Sequence, residues 1–158
     1  MKRMPFILLA ILMIAFLLSA CGQNVSCVPL TGITLDGVVI GDDFETISTD
    51  NYILSDRFPE QENTVNYEEW RITTEEEKIS KIDADFADIT VSINSYEGCQ
   101  TVDDVIAILG DSYISWYDKE QKLRKIVYMD NDNLLQATFV YNSSNKQLVR
   151  IILEKTSQ

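Results

Sequence analysis

The side chains best suited to chemistry in this 158-residue chain are carboxylates, which outnumber lysine and arginine by 25 to 13. Several are adjacent in sequence, but glycosidase-type catalysis needs two carboxyl groups that face each other across a cleft. The chain has no histidine and no Gly-x-Ser-x-Gly motif, so it lacks the commonest general base and an activated serine. Phosphate-loop and dinucleotide-binding motifs are also absent. We therefore expect neither an enzyme nor a cofactor-binding protein.

One run of acid and amide residues, Asp130 to Asn133, has the composition of a calcium-binding loop. A loop of the EF-hand type needs an oxygen ligand at its fifth position and glycine at its sixth, where this chain has Leu134 and Leu135. The run is typical of a hairpin turn instead. We therefore predict no metal site.

The remaining reactive group is a thiol near the N-terminus. Lys2 and Arg3 precede an uncharged apolar run over residues 6–18, which is the pattern of an export signal and is shorter than the roughly 20 residues of a membrane-spanning helix. The run ends in Leu18-Ser19-Ala20-Cys21-Gly22, which resembles the bacterial lipobox. In that motif, small residues give a peptidase access to the bond before the cysteine, and the cysteine sulfur takes the lipid.

This resemblance implies that residues 1–20 are a signal peptide, that Cys21 is lipidated, and that residues 21–30 form a short tether. An uncleaved anchor helix is the alternative. Both interpretations place the rest of the chain on the extracytoplasmic face of a bacterial membrane. Whether the cell has one membrane or two stays open.

The chain beyond residue 20 carries 11 basic and 25 acidic residues, a net charge of −14. Such a charge disfavours binding to nucleic acid phosphates or to anionic lipid headgroups. It is explained either by solubility or by attraction of a cationic partner. Two thiols, Cys27 and Cys99, remain besides Cys21. Outside the cytoplasm they can form a disulfide, or they can stay unpaired, and the sequence leaves both alternatives open.

The C-terminal third has the clearest secondary-structure pattern. Residues 101–110 predict a short helix, in which Thr101 suits the N-cap and Gly110 the position after the last turn. Three strands are predicted after it, over residues 123–129, 134–141 and 147–154. The first half repeats this order more weakly. It has a short helix candidate over residues 40–47, strand candidates at 65–72, 77–82 and 86–93, and an extra strand candidate at 33–39.

The sequence therefore predicts an α+β fold for residues 31–158. Two helix-plus-antiparallel-meander repeats, over residues 33–93 and 98–154, would form one sheet with both helices on a single face. The pattern of the second repeat resembles the β-lactamase-inhibitor-protein-like family, which includes small outer-membrane assembly lipoproteins of the SmpA/OmlA type. The segments that carry it are residues 101–110, Tyr117, and residues 126–128, 137–141 and 148–153. The resemblance implies a protein-binding role but assigns no contact residue.

Aromatic residues suggest where a partner binds. If helices cover one face of the sheet, the other face is open, and aromatic side chains there would form a contact surface. Trp116 and Tyr117 are adjacent, so on a strand they point to opposite faces. Most of the aromatic residues belong to the core on the simplest interpretation. The predicted contact residues are Trp116, Tyr117, Trp70 and Tyr128.

The function expected from these features is a non-catalytic, membrane-anchored lipoprotein that binds a protein or peptide through its sheet face. One alternative is an immunity-type lipoprotein that sequesters a cationic peptide. Another is a solute receptor, which usually needs two lobes and a longer chain.

Overall fold

The computed structural model describes residues 27–157, so the predicted signal peptide and the lipidation site at Cys21 lie outside the described residues. Strands account for 45% of the structure and helices for 8%. The described domain is therefore mostly β, and the predicted α+β fold with two helix-plus-meander repeats is wrong.

A seven-stranded antiparallel sheet forms most of the domain, and a separate pair of short strands lies beside it. The pair consists of β1 (Ile33–Leu35) and β5 (Val91–Ile93). In spatial order, the large sheet consists of β2 (Thr64–Asn66), β3 (Trp70–Glu75), β4 (Lys78–Asp85), β9 (Leu148–Lys155), β8 (Leu135–Asn142), β7 (Leu123–Asp130) and β6 (Ile114–Asp118).

The predicted C-terminal helix and meander are confirmed. Helix α1 spans Val102–Leu109, and Thr101 caps it through a reciprocal capping box with Asp104. Gly110 ends the helix with φ of +85°, a conformation that glycine adopts without a side-chain clash. Strands β7, β8 and β9 follow close to the predicted bounds, and β6 adds a strand that was not among the sequence predictions.

The helix predicted over residues 40–47 is wrong, because the chain there forms only a 3-10 turn at Phe44–Thr46. The backbone of this segment bonds to the start of β4 instead: the Gly41 N–H donates to the Ile79 carbonyl, and the Phe44 N–H donates to the Glu77 carbonyl. An eight-residue helix with an internal glycine is costly to nucleate, and pairing with a neighbouring strand satisfies the same polar groups.

The strands of the first half also differ from the prediction. The single strand predicted at residues 65–72 is a hairpin, because the chain turns between Tyr67 and Trp70. The strand predicted at 86–93 is reduced to β5, which leaves the large sheet to pair with β1. Phe86 donates its N–H to the Val149 carbonyl, which ends the ladder at that point.

The core lies on one face of the large sheet, here called the core face. Ile72, Ile82, Leu153, Ala137 and Tyr128 form one row of buried side chains across β3, β4, β9, β8 and β7. The side chains of α1 that join the same cluster are Val102, Val105 and Leu109, and those of the short strand pair are Ile33, Leu35, Val91 and Ile93. The opposite face, here called the open face, contributes no residue to this cluster.

None of the helices in residues 27–157 is both long enough and apolar enough to cross a membrane.

Candidate binding surface

The open face is built from the alternate side chains of the same seven strands. Its central row consists of Arg71, Asp83, Ile152, Thr138 and Val127. Val127 and Thr138 are buried, although they lie outside the core cluster, so neighbouring side chains on the open face must shield them. The apolar side chains of this face other than Leu123, which lies next to the turn between β6 and β7, are here called the apolar band. They are Ile114, Trp116, Val127, Met129, Val140 and Ile152.

The other half of the open face is polar and internally paired. Asp83, which is buried, accepts hydrogen bonds from Arg150 Nε and Nη2 at 2.5 and 2.6 Å and a further one from Arg71. Burial opposes ionisation of Asp83, but these hydrogen bonds outweigh it and hold the pKa of the carboxyl below its ordinary value. Lys81 and Glu154 form a second ion pair at 2.7 Å. These cations therefore have partners within the domain.

An aromatic side chain packs against a cation near each side of the open face. On β3, the Arg71 guanidinium lies 4.5 Å from the centre of the Phe58 ring. On β6 and β7, Lys125 Nζ lies 5.1 Å from the centre of the Trp116 ring. Both aromatics are exposed, Phe58 at 39% and Trp116 at 48%. The paired polar half and the rest of the apolar band thus lie between two exposed aromatic rings.

The four predicted contact residues divide into two groups. Trp116 and Tyr117 are exposed, at 48% and 45%, and lie on opposite faces of β6 as the alternation requires. Trp70 and Tyr128 are 2% and 0% exposed, so neither is accessible to a partner. Trp70 packs on Tyr52, and the Tyr128 hydroxyl donates to the Gly110 carbonyl at 2.7 Å, which ties β7 to the end of α1.

The hairpin formed by β6, β7 and the turn between them, residues 114–127, projects beyond the core. Its far half is exposed on both faces, from Ser115 to Lys122 and again at Arg124 and Lys125. The Arg124 guanidinium lies 4.9 Å from the centre of the Tyr117 ring, which repeats on the second face the arrangement of Lys125 and Trp116. A groove of about 590 Å³ lies here, lined by residues 116–121 and 123–125 together with Val140.

The two cysteines beyond Cys21 are free thiols in this structure. Cys27 is exposed and Cys99 is buried, and burial, helped by the carboxylate of Asp104, raises the pKa of the Cys99 thiol. The disulfide that the sequence left open is not formed. Cys27 lies instead beside Asp130, with its Sγ 3.5 Å from a carboxylate oxygen.

Asp130 is a buried carboxylate that holds the beginning of the described chain against the end of β7. It accepts the Leu30 N–H at 2.9 Å and two hydrogen bonds from Asn133, at 3.1 and 2.9 Å. Burial opposes ionisation, but these bonds outweigh it and lower the pKa of Asp130. Cys27, Asp130 and Asp132 have ligand atoms within 4.8 Å of one another. Because Asp130 already has these hydrogen-bond partners, the cluster is explained by its role in holding the beginning of the described chain against β7.

Sequence reasoning missed the Asp83 cluster, Phe58 and the cationic character of the β6–β7 hairpin. The first had no clear signal, because the predicted strands end at residue 82 and resume at residue 86, which leaves Asp83 in a connection where a charge is expected. A signal for the last was present in the run Lys119 to Lys125, which holds four cations. Phe58 has no comparable signal, because it comes from an irregular segment that only the tertiary fold brings to Arg71.

Comparison of the chain with protein-family models, curated proteins and solved structures finds no match.

Proposed function

We propose that this protein is a non-catalytic lipoprotein, anchored through Cys21 on the extracytoplasmic face of a bacterial membrane, which binds a protein partner through the open face of its sheet. The observation that carries the proposal is the open face itself. Six apolar side chains of the apolar band lie on a sheet face that no described element covers. Trp116 is exposed, and Ile114, Met129, Val140 and Ile152 are half-buried. A partly exposed apolar surface that is bordered by polar residues is typical of an interaction site.

The charges of the open face favour a protein partner over a partner that carries a large charge of one sign. The strand register places five cations and five carboxylates there, so this face is balanced although the whole chain carries −12. They are Arg71, Lys78, Lys81, Lys125, Arg150, Glu75, Asp83, Asp85, Asp118 and Glu154. The excess negative charge therefore lies elsewhere on the molecule, where it favours solubility.

Site-specific photo-crosslinking in the membranes of the producing cell tests the use of the open face. A photoreactive amino acid is placed at Met129 or at Val140, both in the apolar band, and at Ala107 as a control on the exposed side of α1. We expect both open-face positions to give an adduct of the same mass and Ala107 to give none. No adduct from either position, or an equal yield from Ala107, would contradict the proposal. An adduct with a small cationic peptide would favour the immunity-type alternative.

The anchor is tested separately. We expect the mature protein to begin at Cys21, to carry the mass of its acyl chains, and to partition with the membrane fraction. Cys21→Ser should prevent lipidation, since serine offers no thiol for the lipid to join. If the Cys21→Ser chain is processed and retained by membranes as well as the wild type, the lipoprotein assignment is wrong.

A further inference from the structure

The two edges of the large sheet differ. At the β2 edge, residues 53–55 cover the backbone: the Ser55 N–H donates to the Asn66 carbonyl at 3.0 Å, and the Glu68 N–H donates to the Ile53 carbonyl at 2.9 Å. At the β6 edge, no described segment lies alongside the strand. Strand β6 therefore presents a free row of backbone donors and acceptors.

The neighbouring hydrogen bonds show which residues of β6 point outward. In an antiparallel ladder, successive residues bond to opposite sides. The Lys122 carbonyl accepts the Ser143 N–H on the β8 side, and the Met129 carbonyl accepts the Val28 N–H on the β6 side. Odd-numbered residues of β7 therefore bond to β6, and Trp116 pairs with Lys125 in this way. It follows that Ser115 and Tyr117 direct their N–H and carbonyl groups to the free edge.

Positive charge is concentrated beside this edge. Residues 118–125 carry four cations and two carboxylates, a local charge of +2 in a chain of −12. None of these cations, Lys119, Lys122, Arg124 and Lys125, forms an ion pair within residues 27–157, whereas six of the other seven basic residues in that range do. The hairpin is thus a cationic surface whose charges have no carboxylate partner in the described part of the domain.

The hairpin also lies far from the point where the chain arrives from the proposed anchor. Val28 and Leu30 are bonded at Met129 and Asp130, at one end of β7, and the turn of the hairpin precedes Leu123 at the other end. At roughly 3.3 Å per residue, these ends are about 23 Å apart. The described chain therefore begins at the end of the sheet opposite the cationic surface.

We propose that the free edge of β6 binds an extended, acidic segment of a partner polypeptide, which adds to the sheet as a further strand. The backbone groups of Ser115 and Tyr117 pair with the added strand, and the cations of the hairpin neutralise its carboxylates. Trp116 and Tyr117 flank the strand, one on each face. This inference deepens the proposed function, on which it rests, by giving the chemistry of the partner and its docking strand.

The same observations disfavour two other occupants. A second copy of this chain would bring two hairpins of charge +2 together and two domains of strongly negative net charge. An anionic lipid surface is disfavoured because the hairpin lies at the end of the sheet away from the start of the described chain, and because the net charge of the chain is strongly negative. Both occupants would produce distinct outcomes in the experiment below.

The experiment uses the full chain, purified from membranes in detergent micelles, and a short peptide in which glutamate alternates with valine. The chain has two tryptophans, and only Trp116 is exposed, so a fluorescence change reports on β6. We expect saturable binding that weakens as salt is added. The same peptide methylated on all its backbone nitrogens should bind at least about tenfold more weakly, because neither of its edges can then donate to the strand. A peptide with lysine in place of glutamate should not bind.

Variants test the charge requirement without altering the core. Arg124→Gln with Lys125→Gln should weaken binding of the acidic peptide, whereas Lys78→Gln with Lys155→Gln, which removes the same charge elsewhere, should not. Equal binding of the methylated peptide would overturn strand addition, and equal loss with the control pair would overturn a local charge requirement. Preferential binding of phosphatidylglycerol vesicles by the hairpin, or a concentration-dependent dimer blocked by the peptide, would assign the edge to another occupant. These measurements need no natural partner, so their failure is distinct from a failure of crosslinking at Met129 and Val140.

Discussion

Lys125 and Trp116 lie directly opposite each other on β7 and β6, with the lysine Nζ 5.1 Å from the centre of the indole ring. An exposed pair of this kind contributes only about 0.5–1 kcal/mol. Trp70, the second tryptophan of the chain, is 2% exposed and packs on Tyr52, with ring centres 4.7 Å apart. Substitution of Trp116 therefore tests the binding surface, whereas substitution of Trp70 tests the packing that stabilises the fold.

Trp116→Ala should lower the free energy of unfolding by no more than about 1 kcal/mol and should weaken partner binding, because the side chain lies on the surface. Trp70→Ala, its matched control, should cost about 3–5 kcal/mol through loss of buried contacts. Denaturant unfolding followed by circular dichroism measures both values. A folded Trp116→Ala protein that keeps full crosslinking to its partner would remove Trp116 from the contact surface.

Asp83→Asn should destabilise the domain, because it removes the charge that Arg71 and Arg150 share. A fully buried pair broken in this way costs about 3–5 kcal/mol, but the Arg150 side chain is 39% exposed, so we expect about 1–3 kcal/mol. Glu154→Gln, in the more exposed pair with Lys81, should cost less than about 1 kcal/mol. If the two substitutions lower the free energy of unfolding by the same amount, burial of Asp83 does not strengthen its ion pairs, and the prediction is wrong.

The same carboxyl predicts a pH dependence. The folded-state pKa of Asp83 lies below its ordinary value of 3.8, so its contribution to stability is complete above that value and is lost as the pH falls through the folded-state pKa. Asp130, whose pKa is also lowered, acts in the same direction. The stability of Asp83→Asn should therefore fall less steeply below pH 4 than that of the wild type. Thermal unfolding at a series of pH values measures this. The prediction is wrong if the wild type and Asp83→Asn lose stability with the same slope below pH 4.

Tyr128→Phe should lower stability by about 0.5–1.5 kcal/mol, the usual net value of a hydrogen bond, because the bond to the Gly110 carbonyl is lost. Partner binding should be unchanged, since the side chain is fully buried. Unfolding and crosslinking measurements on one preparation check both points. Loss of crosslinking without loss of stability would restore Tyr128 to the contact surface.

Thiol labelling should find two reactive cysteines per mature chain in denaturant, because the sulfur of Cys21 is blocked if it carries lipid. In the native protein, Cys27 should react quickly and Cys99 slowly, since Cys99 is 6% exposed and burial raises its pKa. Cys27→Ser should abolish only the fast phase. Absence of labelling until a reductant is added would show that the two cysteines form a disulfide.

The sequence was a reliable guide where local and tertiary preferences agree. Thr101, the apolar periodicity of residues 102–109 and Gly110 each favour the same helix, and the core later accepts the face that this periodicity creates. The three C-terminal strands are long and are separated by turns rich in asparagine, aspartate and serine. Their bounds were therefore predicted to within about one residue.

The first half could not be predicted in the same way, because its order depends on distant pairing. Ile40, Phe44 and Ile47 have helical spacing, yet all three pack on the core from an irregular chain held by β4. The burial of Trp70 and Tyr128 could not be predicted either, because strand alternation alone does not say which face of the sheet is covered. Only Trp116 and Tyr117 avoid this ambiguity, because adjacent strand residues must occupy opposite faces.

The covered β2 edge also limits assembly. A sheet with two free edges can be extended at both, which is the route to open-ended fibres. Here residues 53–55 end the ladder on one side as a short irregular segment, so growth has a single starting point. A strand added at β6, as proposed above, would therefore give a closed one-to-one complex, and domains concentrated by a lipid anchor would not polymerise through their sheets.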